Sequence, residues 1–289
     1  MSIATLVPPV AATRKRGLLA GWSRAGKFGL AVLGFWVVVG LFAFFLESHA
    51  LGEMSDAGVF QGMSAQHLLG TDYLGRDMLT RIVAGTPYTI GVALVATLLA
   101  CAAGAVLGLL AAVAGGWVDS ALSRLLDTLI SIPSKMFALV VIAGFGSSVP
   151  LLIAVAAIVY TPGCYRIIRS LAVNINAMDY VLVARARGER RGYIMRREIL
   201  PNLMGPMLAD MGLRFVYALR LLASLSFLGL GVQPPMADWG SLVRENLGAL
   251  PMGGVSVLAP ALALATLTIA VNLVIDNLPG HTDADRETH

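Results

Sequence analysis

Six stretches of this chain are long and apolar enough, or close to it, to cross a lipid bilayer: 28–46, 88–114, 121–145, 149–168, 206–230 and 255–278. A bilayer core takes about 20 consecutive, mostly apolar residues as helix. Nothing else in the sequence restricts the fold as strongly. The chain is 57% hydrophobic and 13% charged, with a mean hydropathy of +0.78. A soluble domain is about 25% charged. These values predict an all-α, polytopic membrane protein with six transmembrane helices. The third stretch is the least clean, because it holds Arg124, Asp127, Pro133 and Lys135.

Lys and Arg concentrate on the cytoplasmic side of membrane proteins. The tail 1–27 holds Arg14, Lys15, Arg16, Arg24 and Lys27. The connection between the fourth and fifth stretches holds Arg166, Arg169, Arg185, Arg187, Arg190, Arg191, Arg196 and Arg197. The other side has Arg76, Arg81 and Arg244. The bias predicts six spans with both termini cytoplasmic and a polar tail at 281–289. The first apolar run starts after Lys27 and exceeds a signal peptide's core of about 7–15 residues. It is expected to remain in the mature protein. The net charge of +4 comes from a few short basic segments and does not indicate nucleic-acid binding.

Catalytic and metal signatures are missing. The segment 21–27, GWSRAGK, has the spacing of a phosphate loop, but Phe28 stands where Ser or Thr belongs and no strand precedes it. His49, His67, His281 and His289 have no ligand spacing, and Cys101 and Cys164 read as small apolar fillers. No catalytic residue, metal site or cofactor of the chain's own is expected, so a membrane enzyme is unsupported and the chain has no visible way to use ATP itself.

Other polar features mark candidate sites. Asp210, Arg214 and Arg220 fall inside the fifth stretch, where ionisable groups must face protein or water. Asp210 and Arg214 are four apart and share a helix face. They either pair there or snorkel to the near interface. Arg220 lies nearer mid-span and is the better candidate to line a polar pathway. In the second stretch Ala96, Ala100, Gly104, Gly108 and Ala112 recur every fourth residue, a smooth face for close helix packing in a bundle or at a subunit seam. Residues 229–240, with Gly229, Gly231, Pro234 and Pro235, stop the fifth helix and are expected to fold back into the bundle mouth.

Residues 178–200 divide at Gly188. The reading is a short helix, a glycine turn and a second short helix stopped by Pro201. Tyr180, Val181, Ala184, Tyr193, Ile194 and Ile199 would form its apolar side, with arginines opposite. Such a pair suits a cleft on another protein. A basic loop that only sets topology, and a hairpin lying on anionic lipid, fit the same pattern.

Three stretches resemble one family. Asp179-Tyr180, Ala184-Arg185-Ala186, Gly188 and, after eleven intervening residues, Leu200-Pro201 resemble the EAA loop of ABC importer permeases. His67, Gly70-Thr71-Asp72 and Gly75-Arg76-Asp77 resemble the external loop of the dipeptide/oligopeptide/nickel class. The run 226–235 with Asp238-Trp239-Gly240 resembles the segment after that class's fifth helix. The likeness runs in order over 27–279. It implies a type I importer permease fold with cytoplasmic coupling helices in a bacterial inner membrane. It also implies a second, homologous permease as heterodimer partner, two cytoplasmic ABC ATPases that bind ATP and Mg, and an extracytoplasmic solute-binding protein. Asp179, Tyr180, Ala184, Arg185, Gly188, Leu200 and Pro201 would couple to the ATPases. Arg220, Arg214 and Asp210 would be pathway residues. Cargo in this class is peptides by default, with chelated nickel and opine-like solutes as alternatives. From the residues alone, a stand-alone channel or secondary transporter and a membrane-bound scaffold stay open. Two departures stand out: Leu182-Val183-Ala184 replaces the usual Glu-Ala-Ala, and Leu222 stands where relatives often carry glutamate.

Overall fold

The computed structural model describes residues 22–43, 45 and 58–277. The tails 1–21 and 278–289, residue 44 and the start of the first loop, 46–57, lie outside the described residues. The described residues are mostly helical, joined by short turns, by the loop 58–77 and by the segment 228–238.

Among the described residues, four helices have the length and apolarity to cross a bilayer: Arg24–Ala43, Met78–Ala114, Val149–Asn176 and Val255–Ile275. We call the first α1. The second is α2 (Met78–Thr86) continued into α3 (Val92–Ala114) through a wide π turn at Pro87–Gly91. Proline has no N–H to give the preceding turn, and the wider turn absorbs that gap. This helix therefore begins ten residues before the expected 88, directly after the loop motif.

The expected span 121–145 is broken. α4 (Gly116–Ser131) and α5 (Ser134–Phe145) are bent by 83°. Pro133 forces Ile132 out of the helical region, to φ −88° and ψ 126°. α6 (Val149–Asn176) outruns the expected 149–168 by eight residues. Arg166 and Arg169, read as loop residues, sit on α6 and bond Asp127 and Asp119 of α4. A basic residue with an acidic partner beside it does not have to end a helix.

α7 (Asp179–Ala186) and α8 (Arg191–Tyr193) form a hairpin. α8 passes through a π segment, Ile194–Ile199, into α9 (Leu200–Phe227) without a break. Pro201 therefore does not stop the second hairpin helix. It occupies the first turn of α9, and the π segment before it takes up the missing hydrogen bond. α9 was expected at 206–230 and runs from 200 to 227. Its polar residues, including Asn202, Asp210, Arg214 and Arg220, keep it below the apolarity of a lipid-facing span. It packs instead against α3, α6, α10 and α11. α10 (Trp239–Glu245), a 3-10 turn at Leu247–Met252 and α11 (Val255–Ile275) complete the chain.

α3 and α6 form the most extensive helix pair. The small-residue face makes this possible. A Cβ on Gly104 would lie 2.8 Å from the Tyr165 amide nitrogen, and one on Gly108 3.0 Å from the Arg169 nitrogen. The face is thus an internal seam and not a subunit boundary. The main core gathers Met78, Ile142, Leu152, Leu219, Leu225, Trp239 and Leu267. A second cluster at the far end joins Ala112, Val113, Ile168, Val181, Ile194, Ile199 and Leu203.

Candidate functional site

An open groove of about 620 Å³ runs between α5, α6, α9 and α11. Ser134, Lys135, Tyr160, Tyr217, Arg220, Ser224 and Thr268 supply its polar lining, and no acidic side chain lines it among the described residues. The break at Pro133 is what brings Ser134 and Lys135 here, at the first turn of α5. The Tyr160 hydroxyl donates to the Tyr217 carbonyl at 2.8 Å, and the two rings stack at 6.4 Å. That contact fixes one wall and leaves the Arg220 side chain exposed to the groove.

Of the three ionisable residues expected on a pathway, only Arg220 reaches this groove. Asp210 and Arg214 pair on one face of α9 at 3.1 Å and are turned toward α3 and α6. Neither snorkels: Asp210 is buried, and the Arg214 guanidinium occupies the space a Cβ on Gly163 would need. Two oppositely charged groups four residues apart satisfy each other there, as a membrane interior demands. Leu222 is also buried, so its departure from the family's glutamate does not set the groove's charge. Lys135, Tyr160, Tyr217 and Thr268 were not legible as site residues. Lys135 registered only as a flaw in an apolar run.

The loop motif forms a closed corner at one end of the bundle. Asp72 is fully buried. It accepts from the Leu74 and Arg76 amides at 2.8 and 2.9 Å, from Arg76 Nε at 2.8 Å and from Arg81 Nη1 at 2.8 Å. Arg81 also donates to Glu245 at 2.8 Å, tying the loop to α10. Asp77 caps α2 through the Thr80 amide and meets His67 Nδ1 at 3.1 Å. Thr71 accepts from the Gln61 amide and donates to the Gly58 carbonyl, both at 2.8 Å. Gly70 and Gly75 take φ of +74° and +77°, the left-handed region open to glycine. The motif's charges are thus spent inside the corner. Arg81, Glu245 and Asn246, which accepts from the Tyr73 amide, were not among the expected site residues.

The segment after α9 seals the same corner. Asp238 caps α10 in a reciprocal box with Ser241 and accepts from the Ser226 hydroxyl at 2.5 Å. Burial pushes its carboxyl above the usual carboxylate range, against the pull of those hydrogen bonds. The Trp239 indole donates to the Ile82 carbonyl at 3.0 Å, and its ring meets Trp36 at 4.5 Å.

The hairpin at the opposite end is built differently. Gly188 closes α7 with φ +81°, and its amide donates to the Arg185 carbonyl at 2.9 Å. Val181, Ala184, Ile194 and Ile199 are buried against α3, α6 and α9, as their spacing suggests. Tyr180 and Tyr193, expected on the same side, are exposed. Tyr180 accepts from Asn202 at 3.1 Å, and Arg185 donates to Asn176 at 2.6 Å. Asp179 sits in the first turn of α7, where the helix dipole favours a carboxylate. Leu182 and Val183 face outward, so the place of the family's acid is apolar surface here. Arg187, Arg190, Arg191, Arg196 and Arg197 of the same hairpin are also exposed.

Comparison with known proteins places these features together. The model of the family described as "Binding-protein-dependent transport system inner membrane component" matches residues 104–284. The dipeptide transport system permease protein DppC of Alkalihalophilus pseudofirmus is 32% identical over 250 residues, 86% of this chain and 82% of that one. The DppC protein of Bacillus subtilis is 30% identical over 268 residues, 91% of this chain and 84% of its own. The glutathione transport system permease protein GsiD of Pectobacterium atrosepticum is 33% identical over 218 residues, 75% of this chain and 72% of its own. With a helical bundle, a broken span and three motifs in order, this chain belongs to the binding-protein-dependent transport system inner membrane component family, the permeases of ABC importers.

Proposed function

We propose that this permease forms half of a translocation pathway for peptides or similar carboxylate-bearing solutes, with the groove as its inner wall and residues 179–200 as its coupling element. One observation carries the reading. The second arm of the hairpin and the groove wall are a single helix, running from Arg191 through Tyr217, Arg220 and Ser224. At 1.5 Å per residue, the helical path from Arg191 to Arg220 is about 40 Å long. A displacement applied at the hairpin is delivered to the groove with no hinge loop between them.

The rest of the assembly follows from physical need. The groove is open on one side, and a second, homologous permease would close it. The hairpin exposes Leu182, Val183 and its arginines, a surface suited to a cleft on a cytoplasmic ATPase subunit. Two such subunits would bind the ATP and Mg and supply the energy. ATP binding would draw the hairpins together and turn the pathway outward; hydrolysis would return it inward, by alternating access. The work done on the pathway is limited by the difference in hairpin contacts between the two states. An extracytoplasmic binding protein would deliver solute at the closed corner. This orientation puts both termini in the cytoplasm and the chain in a bacterial inner membrane.

Lys135 and Arg220, with no acid beside them, favour a solute carrying carboxylates. That fits peptides, and also opine-like solutes or a carboxylate chelate of nickel. Reconstitution with the partner permease, ATPases and binding protein tests the reading. Uptake of a labelled dipeptide, dependent on ATP and lost in Arg220→Leu with the complex intact, supports it. Solute flux by this chain alone would refute it.

A further inference from the structure

Cys101, Cys164 and Asp210 come from three separate helices, α3, α6 and α9. They are 63 and 46 residues apart in sequence, so no local spacing announces them. In the fold their ligand atoms converge. The two Sγ atoms are 3.5 Å apart, and an Asp210 carboxylate oxygen lies within 4.8 Å of both. Cys164 and Asp210 are buried and Cys101 half-buried. Arg214 pairs with Asp210 at 3.1 Å. None of the four residues lines the groove, and the transport reading gives the thiols no role.

We propose that Cys101, Cys164 and Asp210 form a binding site for a thiophilic divalent cation, with Zn²⁺ as the type. Zinc takes thiolate sulfur at about 2.3 Å, which sets two sulfurs on one tetrahedral centre roughly 3.8 Å apart. The observed 3.5 Å needs little adjustment. Soft sulfur ligands select zinc or cadmium over magnesium or calcium. Charge supports the same choice. Two neutral thiols beside the Asp210–Arg214 pair make a neutral group. Binding forms two metal–sulfur bonds and one metal–oxygen bond, and the two thiol protons leave to water. The divalent cation and the Arg214 guanidinium then balance two thiolates and a carboxylate, and the site is neutral again. A low-dielectric interior penalises any other outcome. The ligand set is three protein groups with a fourth position open to water.

Such an ion would pin α9 to α3 and α6. Its consequence for transport rests on the proposed coupling through α9; the binding itself does not. The test is a Cd²⁺ titration of the purified full chain in detergent, followed by the ultraviolet thiolate-to-cadmium charge-transfer band. We expect saturation at one Cd²⁺ per chain, loss of the band in Cys101→Ser and Cys164→Ser, and binding at least tenfold weaker in Asp210→Asn. X-ray absorption on the unaltered protein, which requires no variant to fold, should show two sulfur neighbours. The proposal is overturned by the absence of the band, by a band unchanged in either serine variant, or by a cadmium shell without sulfur. Isolation of the pair as a disulfide from reducing buffer would also overturn it. Importer assembly is measured separately by co-purification, so a failed titration leaves that reading intact, and failed assembly leaves the titration valid.

Discussion

The two ends of this bundle both carry family motifs, yet they use their residues in opposite ways. At the corner formed by residues 58–86 and 226–246, the conspicuous side chains turn inward. Asp72, Arg76, Arg81 and Glu245 satisfy one another, and Asp238 and Trp239 are buried. At the hairpin only Val181, Ala184, Ile194 and Ile199 turn inward, while Leu182, Val183 and the arginines face out. A motif whose polar groups are already paired is holding a fold. A motif whose groups remain exposed is offered to a partner. In the proposed reading the corner is a brace and the hairpin a handle.

The contrast is broken most directly at Asp72. Asp72→Ala leaves Arg81 in the corner without its buried carboxylate. Removing one member of a buried pair costs about 3–5 kcal/mol. Thermal unfolding in detergent should show a large loss, whereas the same measurement on Asp179→Ala should show almost none. Equal effects would erase the distinction between brace and handle.

Two positive-φ glycines, one at each end, sharpen it further. A Cβ on Gly70 would strike the Gln61 carbonyl oxygen; a Cβ on Gly188 would meet nothing within 4 Å. Gly188→Ala should therefore cost only the left-handed backbone penalty, about 1–2 kcal/mol. Gly70→Ala adds a steric clash to that penalty and should melt at a clearly lower temperature. In uptake the order should reverse in kind: Gly188→Val should keep ATP hydrolysis and lose coupled transport, with membrane insertion unchanged.

A smaller effect concerns Asp238. Its folded pKa is raised, so its protonated form is favoured in the fold. That contribution is fully present below the unfolded carboxylate pKa and is lost as pH rises through the raised folded value. Melting temperature measured against pH should show this loss. Asp238→Asn cannot titrate; it should remove that part of the pH dependence while costing about 1 kcal/mol for altered hydrogen bonds. Smallest of all is Arg220→Leu, an exposed groove residue, which should move stability by less than about 0.5 kcal/mol. Its effect should appear in transport alone.

The positions of most helices were legible because apolar length is a local property. The buried side of the hairpin was legible for the same reason, through the spacing of Val181, Ala184, Ile194 and Ile199. What depended on distant partners was not. Arg166 and Arg169 read as a loop because their acids lie on α4, 39 and 50 residues away. Pro201 read as a stop because a π segment that accommodates it has no sequence signature. The groove escaped notice, Arg220 aside, because its lining comes from four helices and its Lys135 is exposed only by the bend at Pro133. The convergence of Cys101, Cys164 and Asp210 was hidden in the same way.

The direct test of the handle is to cut its rod. A short glycine insertion after Met204 separates the hairpin arm from the groove wall and leaves both the docking surface and the groove residues in place. Uptake per ATP hydrolysed should be measured in the reconstituted complex. Continuous-helix coupling predicts that the ATPases stay bound and hydrolyse ATP while uptake falls to background. An unchanged ratio of uptake to hydrolysis would contradict it.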